Sequence, residues 1–332
     1  MTGAAVLGGL GSALPSRLVT NEELSESLDT SDAWIRSRTG IRQRYWVRGE
    51  STGDLAVTAG RHALKSAGVD AVDLVVLATT TPDHPCPATA PEVAARLDLG
   101  PVAAYDIAAV CSGFVYGLAS AAAHIEAGLV DSALVIGAET YSTILDPQDR
   151  TTSVIFGDGA GAVVLRAGEA GQCGALLGFD LGSDGSRRDL IVVPGGGSRA
   201  RTAPVDAPPA GRYFTMQGKP VFRHAVERMA QSARNVLARA GWTPGSVDSF
   251  VGHQANVRIL HAVCDQLDLD RDRAVTDLDR VGNTSAASIP LALSRAAGEG
   301  RLAAGDRVLL AAFGGGLTWG STALVWPDIP AL

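Results

Sequence analysis

Apolar residues along this chain fall into two kinds of run, and the two kinds alternate. Val72–Thr79 (VDLVVLAT), Leu134–Ala138 and Val308–Phe313 are near-continuous apolar stretches of strand length. That is the pattern of strands covered on both faces. Pro91–Leu97, Ser112–Ala127 and Val221–Ala240 carry apolar spacing and Ala content that predict helices. Strands alternating with helices predict a layered α/β fold. The segment Val102–Ala123 is the most membrane-like stretch, but Asp106, two Gly and two Ser interrupt it. It lacks the ~20-residue apolar span of a transmembrane helix and reads as buried core. Pro194–Gly211 is Gly- and Pro-rich without periodicity and reads as an exposed loop of the kind that borders binding sites.

The pattern also repeats. Ala67-Gly68-Val69 precedes AVDLVVLAT, and Ala240-Gly241-Trp242 precedes SVDSFVGHQ. DSALVIGA at Asp131–Ala138 matches DRVLLAAF at Asp306–Phe313. Between them lie small-residue helices, GFVYGLASAAA in one copy and SAASIPLALSRAA in the other. The offset stays close to 175 residues, which means duplicated domains rather than a solenoid.

Composition narrows the picture. The 332 residues include 39 Gly and 53 Ala but only 5% aromatics, so the core is large and built from small side chains. At 46% hydrophobic and 19% charged, the chain is not disordered. A net charge of −7 argues against nucleic acid as a partner. Only Lys65 and Lys219 are lysines; the other basic residues are Arg. Four scattered cysteines, Cys86, Cys111, Cys173 and Cys264, form neither a disulfide framework nor a metal knuckle. No signal peptide is visible, and a cytoplasmic, non-membrane protein without metal is expected.

Candidate chemistry gathers at predicted element ends. In DIAAVCSGF an apolar run ends at Val110 and a helix begins near Ser112, which puts Cys111 at a helix N-terminus. The helix dipole there favours the reactive thiolate. Gly113 permits close approach of substrate or backbone. The alternative is a buried structural Cys. His253 in VGHQANV closes a strand pattern, where open α/β sheets place functional residues. It also reads as an ordinary polar strand end. Asn283 in GNTSAAS precedes a helix at nearly the repeat position of Cys111, as a cap or a site residue. Phe313–Ser321 (FGGGLTWGS) offers backbone N–H groups to an oxyanion, or less readily to a phosphate. A papain-like peptidase shares the Cys–His–Asn set, but its local sequence is absent. His62, His84, His124, His224 and His261 lack such a context.

These segments resemble the β-ketoacyl-acyl-carrier-protein synthase III family of the thiolase superfamily. DTSDAWIRSRTGIRQR, DIAAVCSGF, DPQDRTTSVIFGDGAGAVVL, GHQANVRI, GNTSAAS and AFGGGLTWGS carry the resemblance over essentially the whole chain. It implies a duplicated five-layered αβαβα fold, with residues 1–170 carrying the Cys and 171–332 the His and Asn. It implies a homodimer that uses acyl-coenzyme A and malonyl-acyl carrier protein, with no cofactor. Cys111 is then the acyl-accepting nucleophile, and His253 with Asn283 serves malonyl decarboxylation. Backbone N–H groups of Cys111 and Gly315 form the oxyanion hole. Trp34 and Arg150 stack on adenine, and Arg38, Gly218 and Asn256 line the coenzyme channel. Phe156 and Cys86 belong to the acyl pocket, the latter reaching the partner subunit. Arg223 and Arg258 form a rim for the carrier protein. Where many relatives place Phe, Cys86 is smaller and implies room for a longer or branched starter. The same residues would serve a priming ketosynthase of a polyketide-type pathway or a non-condensing acyltransferase. Thiolase itself is disfavoured, because Phe313–Ser321 holds no second catalytic Cys.

Overall fold

The computed structural model describes residues 3–204, 207 and 209–330. Two sheets carry the architecture. Across the first lie Gly3–Ala13, Gly159–Glu169, Ser132–Glu139, Leu74–Ala78 and Ala103–Ile107. Across the second, in the same sense, lie Leu176–Ser183, Thr318–Val325, Arg307–Gly314 and Ser249–Gly252. Leu74–Ala78 runs parallel to Ser132–Glu139, with Leu77 opposite Ile136. Ser249–Gly252 runs parallel to Arg307–Gly314, with Gly252 opposite Ala311. Both members of each pair differ by the repeat offset. The copies are not identical: where the first sheet has Ala103–Ile107, the second has one parallel bridge between Phe250 and Ala274.

Strand alternation explains the layering. Val75, Leu77, Leu134 and Ile136 face Leu55, Ala59 and Ala63 of the helix Thr52–Ala67, with Val93 and Ala94 of Ala90–Arg96 beside them. The intervening Leu74, Val76, Ala133 and Val135 point the other way. They meet Phe114, Val115 and Leu118 of Gly113–Glu126 and Ile289, Ala292 and Leu293 of Ser288–Gly298. Val308, Leu310 and Ala312 of the second sheet close on the same two helices. Leu309 and Ala311, on its outer face, pack against Met229 and Ala233 of Gly218–Ala240 and Leu260 and Val263 of Val257–Leu267. The result is the five-layered αβαβα arrangement, with strands buried on both faces as their unbroken apolar runs require.

Small residues are needed where layers touch. A Cβ at Gly11 would lie 2.1 Å from Ala59 O, and one at Gly137 would lie 2.4 Å from Ala286 O. Among the described residues no helix is long and apolar enough to cross a membrane. Val102–Ala123 resolves into the strand Ala103–Ile107 and most of the central helix Gly113–Glu126.

Element boundaries shift modestly. The helix predicted from Val221 begins at Gly218, because Gly-Lys-Pro opens it with a polar first turn. The strand predicted to reach Val110 ends at Ile107, and Val110–Ser112 form a 3₁₀ turn. The loop 194–211 contains the short helix Ser198–Arg201, and its base is closed by Gly195 N–H donating to Gly211 O at 2.7 Å. Residues 205, 206 and 208 of that loop lie outside the described residues.

Candidate active site

Each half brings one 3₁₀ turn to the middle of the molecule, Val110–Ser112 and Ser285–Ala287, and each turn runs into a central helix. Val110 and Ser285 both hold positive φ, at 47° and 49°. Few non-glycine residues adopt that conformation, and for a β-branched Val it is costly unless packing enforces it. The two positions differ by the repeat offset, so the same strained turn is built twice. This refines the predicted correspondence: Ala286 is the true counterpart of Cys111, and Asn283 lies three residues earlier. Gly113 does sit at a close approach, where a Cβ would be 3.1 Å from Ala78 Cβ and 3.5 Å from Ala286 Cβ.

Cys111, His253 and Asn283 all line one cavity. Tyr141 is the other polar-tipped residue of its wall, and the rest is apolar: Phe156, Phe214, Met216, Met229, Ile259 and others. Tyr141 stacks on Phe156 at 4.5 Å, and Phe214 meets both edge-on at 5.3 and 5.0 Å.

His253 follows the strand Ser249–Gly252, and its N–H donates to Ala311 O at 2.8 Å. Its Nδ1 lies 2.7 Å from Ser288 Oγ. Ser288 Oγ also accepts from Gln254 N–H at 3.3 Å. In the tautomer where the Ser288 hydroxyl donates to Nδ1, Nε2 carries the ring hydrogen. Burial pushes the imidazole down to about 3, so the ring is neutral at physiological pH. Gln254 locks the segment from below. Its Nε2 donates to Gly252 O and Val275 O, and its Oε1 accepts from Asp277 N–H at 2.9 Å.

Asn283 is held by its backbone, N–H to Ile155 O at 2.9 Å and O from Gly157 N–H at 3.0 Å. Its side-chain Oδ1 accepts from Ser285 N–H at 2.9 Å, which leaves the Nδ2 hydrogens as its donors to the cavity. Gly157 allows this approach, since a Cβ there would lie 2.1 Å from Val281 O.

Cys111 corrects the electrostatic expectation. It does precede a helix, but burial pushes the thiol up to about 12, with Ser285 drawing it down and Glu139 adding to the rise. Desolvation is the largest contribution, and no cation is among the groups acting on the sulfur. Gly314 packs directly on this residue, since a Cβ there would be 2.7 Å from Cys111 N. Gly315 comes next in the chain.

The remaining predicted residues lie outside the cavity, apart from Phe156, which lines it. The Arg150 guanidinium lies 5.5 Å from the Trp34 ring centroid and donates to Asp29 O at 2.5 Å. Asn256 caps the helix Val257–Leu267, accepting from Arg258 N–H at 2.8 Å, and donates to Arg38 O at 3.0 Å. Gly218 opens its helix into free space, with nothing within 4 Å of a Cβ. Arg223 and Arg258 are exposed beside Val221 and Ile259, which line the cavity from the same two helices. Among the described residues neither forms an ion pair. Cys86 is exposed on the loop after Leu74–Ala78 and does not line its own chain's cavity. His62 and His124 are tied to backbone carbonyls of Ser12 and Ser120.

Sequence reasoning missed Ser288, Ser285, Gln254, Tyr141, Phe214 and Glu139. The first three sit inside quoted motifs, and Glu139 is one residue beyond the matched strand DSALVIGA.

Comparisons with known proteins agree with this arrangement. Two family models match, "3-Oxoacyl-[acyl-carrier-protein (ACP)] synthase III" over residues 105–185 and its "C terminal" counterpart over residues 237–326. A Streptomyces coelicolor protein named beta-ketoacyl-[acyl-carrier-protein] synthase III 5 is 78% identical over 332 residues, covering 100% of both chains. A Pseudomonas aeruginosa (strain LESB58) beta-ketoacyl-[acyl-carrier-protein] synthase III is 55% identical, covering 99% of this chain and 98% of its own. Among solved structures, the 3-oxoacyl-(acyl carrier protein) synthase III of Pseudomonas aeruginosa PAO1 superposes with a TM-score of 0.93 at 54% identity, covering 98% and 99% of the two chains. The priming β-ketosynthase of the R1128 polyketide pathway superposes at 0.92 with 35% identity, covering 98% and 97%.

Proposed function

The chain belongs to the 3-oxoacyl-[acyl-carrier-protein] synthase III family, and on that premise we propose how its cavity carries out the condensation that initiates type II fatty acid synthesis. The observation that carries the reading is the meeting of one thiol and two neutral hydrogen-bond donors on one apolar cavity.

Cys111 Sγ attacks the thioester carbonyl of an acyl-coenzyme A, and coenzyme A leaves a covalent acyl-enzyme. Malonyl-acyl carrier protein then replaces it. Loss of carbon dioxide leaves an enolate whose oxygen accepts from His253 Nε2–H and Asn283 Nδ2–H. The enolate carbon attacks the acyl-Cys carbonyl, and the resulting oxyanion rests on Cys111 and Gly315 N–H groups. Collapse releases the 3-oxoacyl-carrier protein and the thiolate. Coenzyme A enters as a substrate, so no resident cofactor takes part.

Trp34 and Arg150 bracket the adenine in this reading, which requires Arg150 to part from the Trp34 face on binding. Arg38, Gly218 and Asn256 border the channel, and Arg223 and Arg258 meet the acidic carrier protein at its mouth. The reading also takes residues 1–170 and 171–332 as the two thiolase-like halves of each subunit, and the protein as a cytoplasmic homodimer.

Incubation with a panel of acyl-coenzyme A thioesters should add one acyl mass to Cys111. Malonyl-acyl carrier protein should then release carbon dioxide. Acylation without that release would leave a simple acyltransferase. The likeness to the R1128 priming ketosynthase supports a second setting for the same chemistry, in which only the starter and carrier differ.

Two further outcomes are expected. Exposed Cys86 reaches the partner's acyl pocket, so Cys86→Phe should shift preference toward shorter starters. Identical chain-length profiles would refute this. With His253 neutral far below its ordinary titration range, carbon dioxide release by pre-acylated enzyme should show no inflection near pH 6.5. An inflection there that disappears in His253→Gln would contradict the neutral-donor role.

A further inference from the structure

Glu139 ends the strand Ser132–Glu139 with no solvent exposure, and the condensation as described makes no use of it. Its Oε2 accepts from Thr80 N–H and the Thr81 hydroxyl, both at 3.0 Å. Its Oε1 accepts from the Ser285 hydroxyl at 3.0 Å and from Ala286 N–H at 3.4 Å. All four partners are neutral. A carboxylate buried without a cation is expensive to keep unless its charge is used or given up.

Its place suggests the use. Gly137, two residues earlier on the same strand face, lies against Ala286 O, so this strand end seats the Ser285–Ala287 turn. The Ser285–Ala287 turn packs against the Val110–Ser112 turn that carries Cys111, where a Cβ at Gly113 would lie 3.5 Å from Ala286 Cβ. The Ser285 hydroxyl, bonded to Glu139, is also the side chain that draws the Cys111 thiol downward. The titratable groups facing Glu139 are Cys111, from the Val110–Ser112 turn, and Tyr141, just beyond its own strand. The other elements packed on it present only hydroxyl and backbone N–H groups.

The first half-reaction needs somewhere to put the thiol proton. His253 is a poor base, held at about 3 by burial. Burial pushes Glu139 up to about 7, near the operating pH at which a proton acceptor works best.

We propose that Glu139 takes the Cys111 proton through the Ser285 hydroxyl as the acyl group arrives, and returns it when the thiolate is released. The proposal deepens the condensation reading and rests on it. In the forward step the Sγ–H bond breaks and its proton passes to Ser285 Oγ. The Ser285 Oγ–H proton passes to Glu139 Oε1. The Sγ–C bond forms and the C–S bond to coenzyme A breaks. Coenzyme A departs as a thiolate and takes a proton from water. After carbon–carbon bond formation expels Cys111 as thiolate, the proton returns from Glu139 through Ser285. The cycle then consumes one solvent proton, and Glu139 ends as it began.

The test uses Glu139→Gln and Ser285→Gly in the full-length protein. Glycine accepts the positive φ and keeps the N–H that Asn283 Oδ1 uses, so Ser285→Gly isolates the hydroxyl even if Glu139→Gln fails to fold. Two rates on Cys111 are followed across neutral pH, acylation by acyl-coenzyme A and alkylation by iodoacetamide. In the wild type both should rise through about pH 7 to a plateau. Either variant should lower the plateau by about 10²-fold and erase the inflection. Attack of malonyl-acyl carrier protein on pre-acylated enzyme should slow far less. An inflection surviving in folded variants, or equal loss in both half-reactions, would overturn the relay. Iodoacetamide reports on the thiol whether or not any acyl-coenzyme A is accepted. A failed relay is thereby distinguished from a failed condensation reading.

Discussion

Cys111→Ser should lower condensation by roughly 10³-fold or more while leaving the fold intact. Serine keeps the shape of cysteine with a smaller heteroatom and overpacks nothing, so the turn Val110–Ser112 keeps its place. The loss is chemical. An alcohol is far harder to ionise than a thiol, and this cavity already raises the thiol to about 12. Neither His253, held at about 3, nor a carboxyl near 7 could deprotonate a serine usefully. Intact-mass measurement after incubation with acyl-coenzyme A should find no adduct on residue 111. Carbon dioxide release coupled to condensation should vanish with it. Near-wild-type condensation would refute Cys111 as the nucleophile.

Asn283 should separate the two half-reactions. Its Oδ1 supports the Ser285 turn and its Nδ2 faces the cavity, so Asn283→Ala removes a structural acceptor and a donor together. Leaving Ser285 N–H unpaired costs about 1–3 kcal/mol of stability. Asn283→Asp is the cleaner variant: a carboxylate oxygen still accepts from Ser285 N–H but offers the enolate no hydrogen. Both variants should slow malonyl decarboxylation by about 10²–10³-fold, the usual cost of one lost oxyanion donor. Acylation of Cys111 should be much less affected, since no enolate forms in that step. Stopped single turnovers of each half-reaction give the comparison. Equal losses in both would contradict the assignment.

How far the sequence discloses this molecule depends on the range of the interaction concerned. Strands such as Leu74–Ala78 and Arg307–Gly314 are legible because both faces are buried, which leaves an unbroken apolar run. The duplication is legible because each copy must satisfy the same packing, down to the paired turns at Val110 and Ser285. Cys111, His253 and Asn283 stand out because they end strands or start helices. Their environment does not. The thiol's raised pKa arises from burial, and the cavity it faces is lined by residues as distant in sequence as Phe214, Met216 and Ile259. Ser288 serves His253 from 35 residues away, and Ser285 reaches Glu139 across 146. No local pattern announces either contact. Phe214 and Met216 enter the wall by way of a short pairing between Ile191–Val192 and Thr215–Met216, far below the length that periodicity can register.

The cavity wall has a consequence for the leaving group. Phe156, Phe214, Met216, Met229 and Ile259 surround the polar trio, and no ammonium or guanidinium is among its lining residues. A carboxylate brought here sheds its hydration and finds no counter-ion in exchange. Carbon dioxide is uncharged, and such a wall accommodates it well. In the proposed condensation the negative charge left behind moves to an oxygen that His253 and Asn283 would receive. The enclosure thus makes the carboxyl group the least comfortable part of the bound malonyl unit, and its departure the event that reconciles substrate and site.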